Sequence, residues 1–334
     1  MTTAARARAP ITPELREIQA PFRKGLDRVA AAMRRIVLAD APLIARVGAH
    51  LMSMRGKMLR PTLVLLASEV ENAPESRAVR LAAVVELIHL ATLVHDDAVD
   101  HSVLRRGMPT VNAMFSHQVS VIAGDFIYAR ALTELVGLGD LEPIEILTRV
   151  SAEMSVGELR QLGTTQPLRF SEEDYELLIG AKTASLMSAA CEVGALAGAE
   201  QHRETLRQYG RSLGMVFQIV DDMMDYTGHA DTTGKPAGLD LRERKVTLPL
   251  IAALRQMPSS ARKEVEMLFD TDSPTDVQIL RVAGLVHDNG GLAYARAHAG
   301  QHARVAAEAA ARLPDSRASE ALARVVRYVL ERHA

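Results

Sequence analysis

Apolar residues recur along this chain at steps of three and four, with polar residues filling the positions between them. That period is the mark of amphipathic helix rather than strand. It predicts helices over residues 13–39, 59–70, 77–100, 111–139, 145–164, 171–198 and 202–228. The tail adds 245–257, 275–290, 291–313 and 317–333. Ser171 followed by Asp174 is a start signal for the helix behind it, because each side chain can bond the other's backbone. Strand-like runs are short and few. The stretch "LAAVVELIHLATLV" is apolar on nearly all sides and reads as a buried helix. No Pro/Gly/Ser-rich linker divides the chain, so the pattern predicts one all-α domain with a long central bundle. Residues 1–20 read as a flexible arm, and 226–245, rich in glycine and charge, as a mobile loop over a site.

Composition narrows the function. Lys and Arg number 39 against 41 Asp and Glu, a net charge of −2, so nothing draws the chain globally to nucleic acid or an anionic membrane. Aromatics are only 4%, and alanine and leucine are abundant, which favours helix. The single cysteine, Cys191, excludes an internal disulfide and fits a reducing, cytoplasmic compartment. No apolar run reaches the ~18 residues that cross a bilayer, so no membrane anchor is expected. The start of the chain has no apolar core of a secretory signal.

The chemistry begins at "LVHDDAVDHSVLRRG", residues 93–107. Gly107 and Pro109 must end the buried helix soon after Asp96, Asp97 and Asp100. A helix C-terminus already carries partial negative charge, so each carboxylate there is unfavourable by about 0.3–1 kcal/mol. Something cationic should offset it. The pattern returns in "LGMVFQIVDDMMDYTG" at Asp221, Asp222 and Asp225, again ending a buried-looking helix. Two such clusters suggest two carboxylate walls facing one cavity. Hard oxygen ligands beside phosphates suit Mg²⁺. Basic residues that suit phosphate oxygens stand at Lys57, Arg60, Arg105, Arg106, Lys182, Lys235 and Lys245, in number enough for two diphosphates.

From about Leu59 onward the chain resembles the trans-isoprenyl (polyprenyl) diphosphate synthases. The carrying motifs are "GKMLRP", "ELIHLATLVHDDAVDHSVLRRGMPTVN", "GDFIYARA", "GELRQL", "KTASL", "GMVFQIVDDMMDYTG" and "GKPAGLDLRERKVTLPL". The resemblance implies an all-α, single-domain bundle around a deep central cavity, spanning residues 21–334, and a homodimer. It implies that Asp96, Asp97 and Asp100 bind Mg²⁺, and that Asp221, supported by Asp222 and Asp225, binds a further ion, about three in all. By motif, Arg105, Lys182, Lys235 and Lys245 hold the allylic diphosphate. Lys57, Arg60, His89 and Arg106 hold isopentenyl diphosphate. Thr183 and Gln218 line the place where positive charge forms, and Phe217 packs nearby. An allylic C–O bond breaks as diphosphate leaves, and the cation is captured by the isopentenyl double bond. No enzyme nucleophile is needed.

Two features refine this. The family pattern "DLxxGK" has glycine where this chain has Arg244, so a positive φ there would strain the turn, unless Arg244 adds a phosphate contact. One turn above Asp96 lie Thr92 and Ala91, and Ile88 lies a turn deeper. In the family, aromatics here block the growing chain. A helical turn of about 5.4 Å matches one isoprene unit, so small residues imply a long product of about thirty to fifty carbons, and the resemblance to octaprenyl-type sequences favours about forty. The competing readings are a shorter-chain synthase, a class I terpene cyclase, a non-catalytic partner subunit, and an HD-type phosphohydrolase suggested by His95-Asp96 and His287-Asp288.

Overall fold

The computed structural model describes residues 12–54, 56–71, 76–105, 107–163, 166–227 and 238–332. Among them the architecture is all-α, as the period predicts, with one two-stranded ribbon. In chain order the helices are α1 (Pro13–Gln19), α2 (Arg23–Ile36), α3 (Pro42–Ser53), α4 (Leu59–Ser68), α5 (Ser76–Val99), α6 (Val111–Met114), α7 (His117–Val136) and α8 (Leu141–Leu162). There follow α9 (Glu172–Ile179), α10 (Ser185–Gly198), α11 (Arg203–Thr227), α12 (Leu239–Arg242), α13 (Leu248–Gln256), α14 (Ser259–Asp270), α15 (Asp276–Asp288), α16 (Gly291–Ala311) and α17 (Arg317–Glu331). Strands β1 (Leu104–Arg105) and β2 (Met108–Pro109) pair antiparallel, Leu104 opposite Pro109.

Local chemistry sets the boundaries. The capping box before α9 forms as the sequence predicts, with Ser171 and Asp174 bonding each other's backbone. The predicted helix over 13–39 is split by a 3₁₀ turn at Ala20–Phe22, where Pro21 lacks the donor that an α-helix needs. The predicted helix over 111–139 divides because Thr110 and Ser116 each cap a new start. Helix α1 begins inside the expected arm, with the Thr12 hydroxyl accepting from Leu15 N at 3.4 Å. Helices α3 and α14 escape the sequence pattern. In α3 only Val47 and Leu51 are buried, a stripe too narrow to stand out. Residues 228–237, half of the expected mobile loop, lie outside the described residues.

The chain forms two compact units. The first comprises Met1–Ser151, Leu186–Gly210 and Ala309–Val325. Its core is α4 and α5, where Leu63, Val64, Leu65, Leu66, Val84, Val85, Leu87 and Ile88 are all fully buried. Each such side chain contributes about 1.5–3 kcal/mol by leaving water. Contrary to the reading from apolar runs, α5 is by length and composition able to cross a membrane, but 67% of its apolar window is buried inside the protein. The second unit comprises Ala152–Ser185, Arg211–Glu308 and Val326–Ala334. Leu213, Val216, Ile219, Leu250, Val265 and Val286 form its core. Cys191 is fully buried, and burial pushes its thiol far above the usual range.

Candidate active site

The first aspartate cluster lies at the end of α5, in the first unit. Asp96 and Asp97 occupy the last turn, and Asp100 follows directly, its N–H donating to the Asp96 carbonyl at 2.8 Å. The helical step is thus kept, so the carboxylates of Asp96 and Asp100 share a face. His101 then takes a left-handed conformation (φ 49°), and the chain reverses into the β1–β2 ribbon. Thr110 ties the ribbon down, its hydroxyl donating to the Ser102 carbonyl at 2.7 Å. The reversal brings Arg105 back onto Asp97, with Nε donating to the two carboxylate oxygens at 2.8 and 2.9 Å. Asp97 is 5% exposed.

His89, Thr92, Asp96 and Asp100 follow one another at three- and four-residue steps along one strip that is half-buried or exposed. Ala91 and Ile88 lie off this strip, buried in the protein. Gly124 on α7 lets the two helices close, because a β-carbon there would stand 2.3 Å from His95 Nε2. The His95 ring faces the Val121 carbonyl at 3.1 Å and Asp125 at 3.2 Å on α7. This takes His95 away from the metal-pair role of an HD phosphohydrolase. His287 and Asp288 are a solvent-exposed pair. Lys57 and Arg60 are set by a left-handed Met58 (φ 53°) before α4. The buried Gln19 of α1 holds that turn, its amide donating to the Lys57 carbonyl at 2.8 Å and to Thr62 Oγ1 at 2.9 Å. Sequence reasoning missed Gln19, since nothing local marks it.

The second cluster lies at the end of α11, in the second unit. Asp222 is 6% exposed. It accepts from the Tyr175 hydroxyl at 2.6 Å and from Gln218 Nε2 at 2.7 Å. The Gln218 amide oxygen in turn accepts from Thr183 Oγ1 at 2.7 Å. Thr183 and Lys182 stand in a π-helical turn, Gly180–Ala184, that joins α9 to α10. Such turns often mark functional positions. Gly214 lets α11 approach it, because a β-carbon would stand 2.5 Å from Ala184 Cα. Lys182 pairs with Glu158 of α8. Asp225 accepts from the Leu239 and Asp240 N–H groups at 3.0 and 2.9 Å, and so caps α12. Asp221 is 53% exposed at its side chain and meets Arg332 at 2.9 Å. The Arg332 guanidinium stacks 4.2 Å from the centre of the Phe217 ring.

Charge is in excess here. Burial first, and then Asp240, push the Asp222 carboxyl well above the ordinary range. Burial and Asp225 raise Asp240 to about 7, with Lys245 opposing them. Tyr175, Asp240 and Arg332 are further residues that the sequence reading missed. The crowded carboxylates fit a divalent cation, whose charge would restore their ionised forms, and all the donors are hard oxygens. Arg106 and Lys235 lie outside the described residues.

Arg244 does adopt the left-handed conformation (φ 56°). Its N–H donates to Leu241 O at 3.2 Å and Lys245 N–H to Asp240 O at 2.7 Å, the bond pair of a Schellman helix stop on α12. That geometry asks for glycine and turns the chain into Lys245. The guanidinium reaches Thr271 O at 2.9 Å and Asp272 at 3.0 Å, so it is engaged away from a phosphate role.

Two predictions follow from the second cluster. At position 244 glycine should be more stable than alanine by about 1 kcal/mol in urea unfolding, because only glycine relieves the positive φ. The reverse order would show that backbone strain does not govern this turn. The second concerns protons. Folded Asp240 binds a proton up to about 7, while the unfolded group releases it near 3.8. The folded state therefore holds more protons across this window, and stability falls as pH rises through it. In metal-free protein Asp240→Asn should flatten that decline, and an unchanged slope would place the proton elsewhere.

The family described as polyprenyl synthetase matches this chain over residues 41–284. The all-trans-nonaprenyl-diphosphate synthase (geranyl-diphosphate specific) of Rhodobacter capsulatus is 36% identical over 318 residues, covering 95% of this chain and 97% of its own. The octaprenyl diphosphate synthase of Escherichia coli (strain K12) is 35% identical over 306 residues, 91% of this chain and 94% of its own. Among solved structures, a polyprenyl synthase from Caulobacter crescentus CB15, complexed with calcium and isoprenyl diphosphate, is similar at a TM-score of 0.90 and 34% identity, over 98% of this chain and 100% of that chain. The helical architecture is that of the isoprenoid synthases, and the chain belongs to the polyprenyl synthetase family of prenyltransferases.

Proposed function

We propose that the protein condenses an allylic prenyl diphosphate with successive isopentenyl diphosphates, giving an all-trans polyprenyl diphosphate of about thirty to fifty carbons, about forty being favoured. One arrangement, present in each aspartate cluster, carries the reading. The second aspartate is withdrawn onto protein donors, Asp97 onto Arg105 and Asp222 onto Tyr175 and Gln218. Asp96 and Asp221 stand on the more open side of their helices. This orders the middle aspartate of each cluster and leaves its neighbour on the more open face, where a cation can reach it. The calcium in the Caulobacter complex supports divalent-metal binding. We assign Mg²⁺ to Asp96, Asp100 and Asp221, about three ions in all. When bound, Mg²⁺ would stabilise charge that gathers on the departing diphosphate.

The chain's own residues do the rest. Arg105, Lys182 and Lys245 hold the allylic diphosphate. Lys182 and Lys245 are paired with Glu158 and Glu243, so each must exchange a carboxylate for a phosphate oxygen. Lys57, Arg60 and His89 hold isopentenyl diphosphate and set its double bond near the reacting carbon. The Gln218 amide is oriented by Thr183 and Asp222, and its oxygen faces developing positive charge with a remaining lone pair. An apolar cleft of about 90 Å³ in the first unit, lined by Val37, Ile44, Val47, Leu51, Phe126 and Ile127, has the chemistry to hold a hydrocarbon segment. The buried Cys191 thiol suits a cytoplasmic location, which cell fractionation would check.

Purified protein given farnesyl diphosphate, isopentenyl diphosphate and Mg²⁺ should extend the chain. A cyclic hydrocarbon would support a cyclase instead, and no turnover would overturn the reading. Asp96→Asn and Asp221→Asn should each lower kcat by about 10²–10³. Ala91→Phe and Thr92→Phe should shorten the product, and unchanged length on thin-layer separation would remove this wall from the tunnel. Exposed Ile122 and Val136 on α7 and Leu141 on α8 support a homodimer. Ile122→Glu should shift sedimentation from dimer to monomer, and a monomeric parent protein would refute the dimer.

A further inference from the structure

Away from the aspartates, the second unit carries a separate set of donors. His298 and His302 stand one turn apart on α16 and present their rings on one face, centroids 5.2 Å apart. Glu176 of α9 faces them. One ligand atom from each of the three residues lies within 4.8 Å of the others. All three side chains are half-buried, which leaves room for water beside them.

The surroundings orient this group. Glu172, one turn before Glu176, lies 4.0 Å from His298 Nδ1. It is fixed there by the Tyr294 hydroxyl at 2.8 Å and by Arg255 at 2.6 Å. His298 Nε2 stands 2.8 Å from Glu176 Oε1. The imidazole therefore has a carboxylate at each nitrogen. His302 is the neighbouring donor, and burial and the His298 ring hold it below the ordinary histidine range, so its lone pair is available at neutral pH. Arg211 opposes a cation here, but it is drawn toward Glu153 at 3.8 Å.

We propose that Glu176, His298 and His302 form a binding site for a divalent transition metal, Zn²⁺ foremost, with water in the fourth position. Two imidazoles one helical turn apart and a carboxylate from a second element are a recurrent zinc donor set. Ligands at 2.0–2.2 Å from a tetrahedral ion lie about 3.3 Å apart, so donors within 4.8 Å of one another close by about 1.5 Å at most, while the 2.8 Å His298–Glu176 pair opens slightly. Binding replaces the His298–Glu176 contact with bonds from both groups to the ion, for which His298 presents an unprotonated Nε2. Glu172 plays the outer carboxylate that orients a metal-bound histidine. The ion would fasten α9 to α16. Helix α9 leads directly into the π turn that carries Lys182, so the site is placed to stiffen a segment of the diphosphate-binding half.

The test uses untagged, full-length protein stripped with chelator and held in excess Mg²⁺, which occupies oxygen sites but competes poorly for imidazole. Calorimetry should show one equivalent of Zn²⁺ bound. His302→Ala should abolish this equivalent while leaving the His298–Glu176 pair and the Mg²⁺-dependent activity in place. Glu172→Gln should weaken it about 10–100-fold. Cobalt substituted into the unmutated protein should give the intense visible spectrum of a tetrahedral nitrogen and oxygen site. A weak octahedral spectrum, an equivalent that survives His302→Ala, or no Mg²⁺-resistant Zn²⁺ would each overturn the proposal and leave an ion pair between two helices.

Discussion

Carboxylates at the C-terminal end of a buried helix are the constraint on which this structure turns. The helix end and the acids repel each other, and crowding adds to the repulsion. The fold answers with directed donors rather than with dispersal into solvent. The β1–β2 ribbon returns Arg105 to Asp97. Tyr175 and Gln218 hold Asp222. Asp225 reaches the positive end of α12. The remaining electrostatic tension is kept, and it makes a divalent cation welcome.

Much of this was legible in the residues. The aspartate triplets, their helix-end placement and the basic residues that accompany them are local patterns. At Arg244 the motif posed only a question, a positive φ or a phosphate contact, and the structure answers it with the left-handed turn. What could not be read are partners far apart in sequence. Tyr175 is 47 residues from Asp222, Gln19 is 38 from Lys57, and Arg332 is 111 from Asp221. Each is an ordinary helical residue until packing gives it a neighbour. Helix α3 was missed because only Val47 and Leu51 of it are buried, whereas α14 carries a regular stripe, Ala261, Val265, Leu268 and Phe269, that the pattern reading passed over.

Helix α9 divides its work between adjacent residues. Tyr175 points to Asp222, and Glu176 to His298. A step of about 100° per residue sends neighbouring side chains to different faces, so one short helix touches two chemically distinct environments. The face toward α11 offers hard oxygens. The face toward α16 offers nitrogen, which suits a softer ion. Cation identity can thus be sorted by donor type within one unit.

The π turn at Gly180–Ala184 holds one residue more than an α-helical turn would. Loss of any single residue there would remove the widened turn and change which backbone groups pair around Lys182 and Thr183. Point replacements leave that count untouched. The spacing between Tyr175 and Thr183 is therefore a tally the gene must preserve, and insertions or deletions should be tolerated far less in this stretch than changes of side chain.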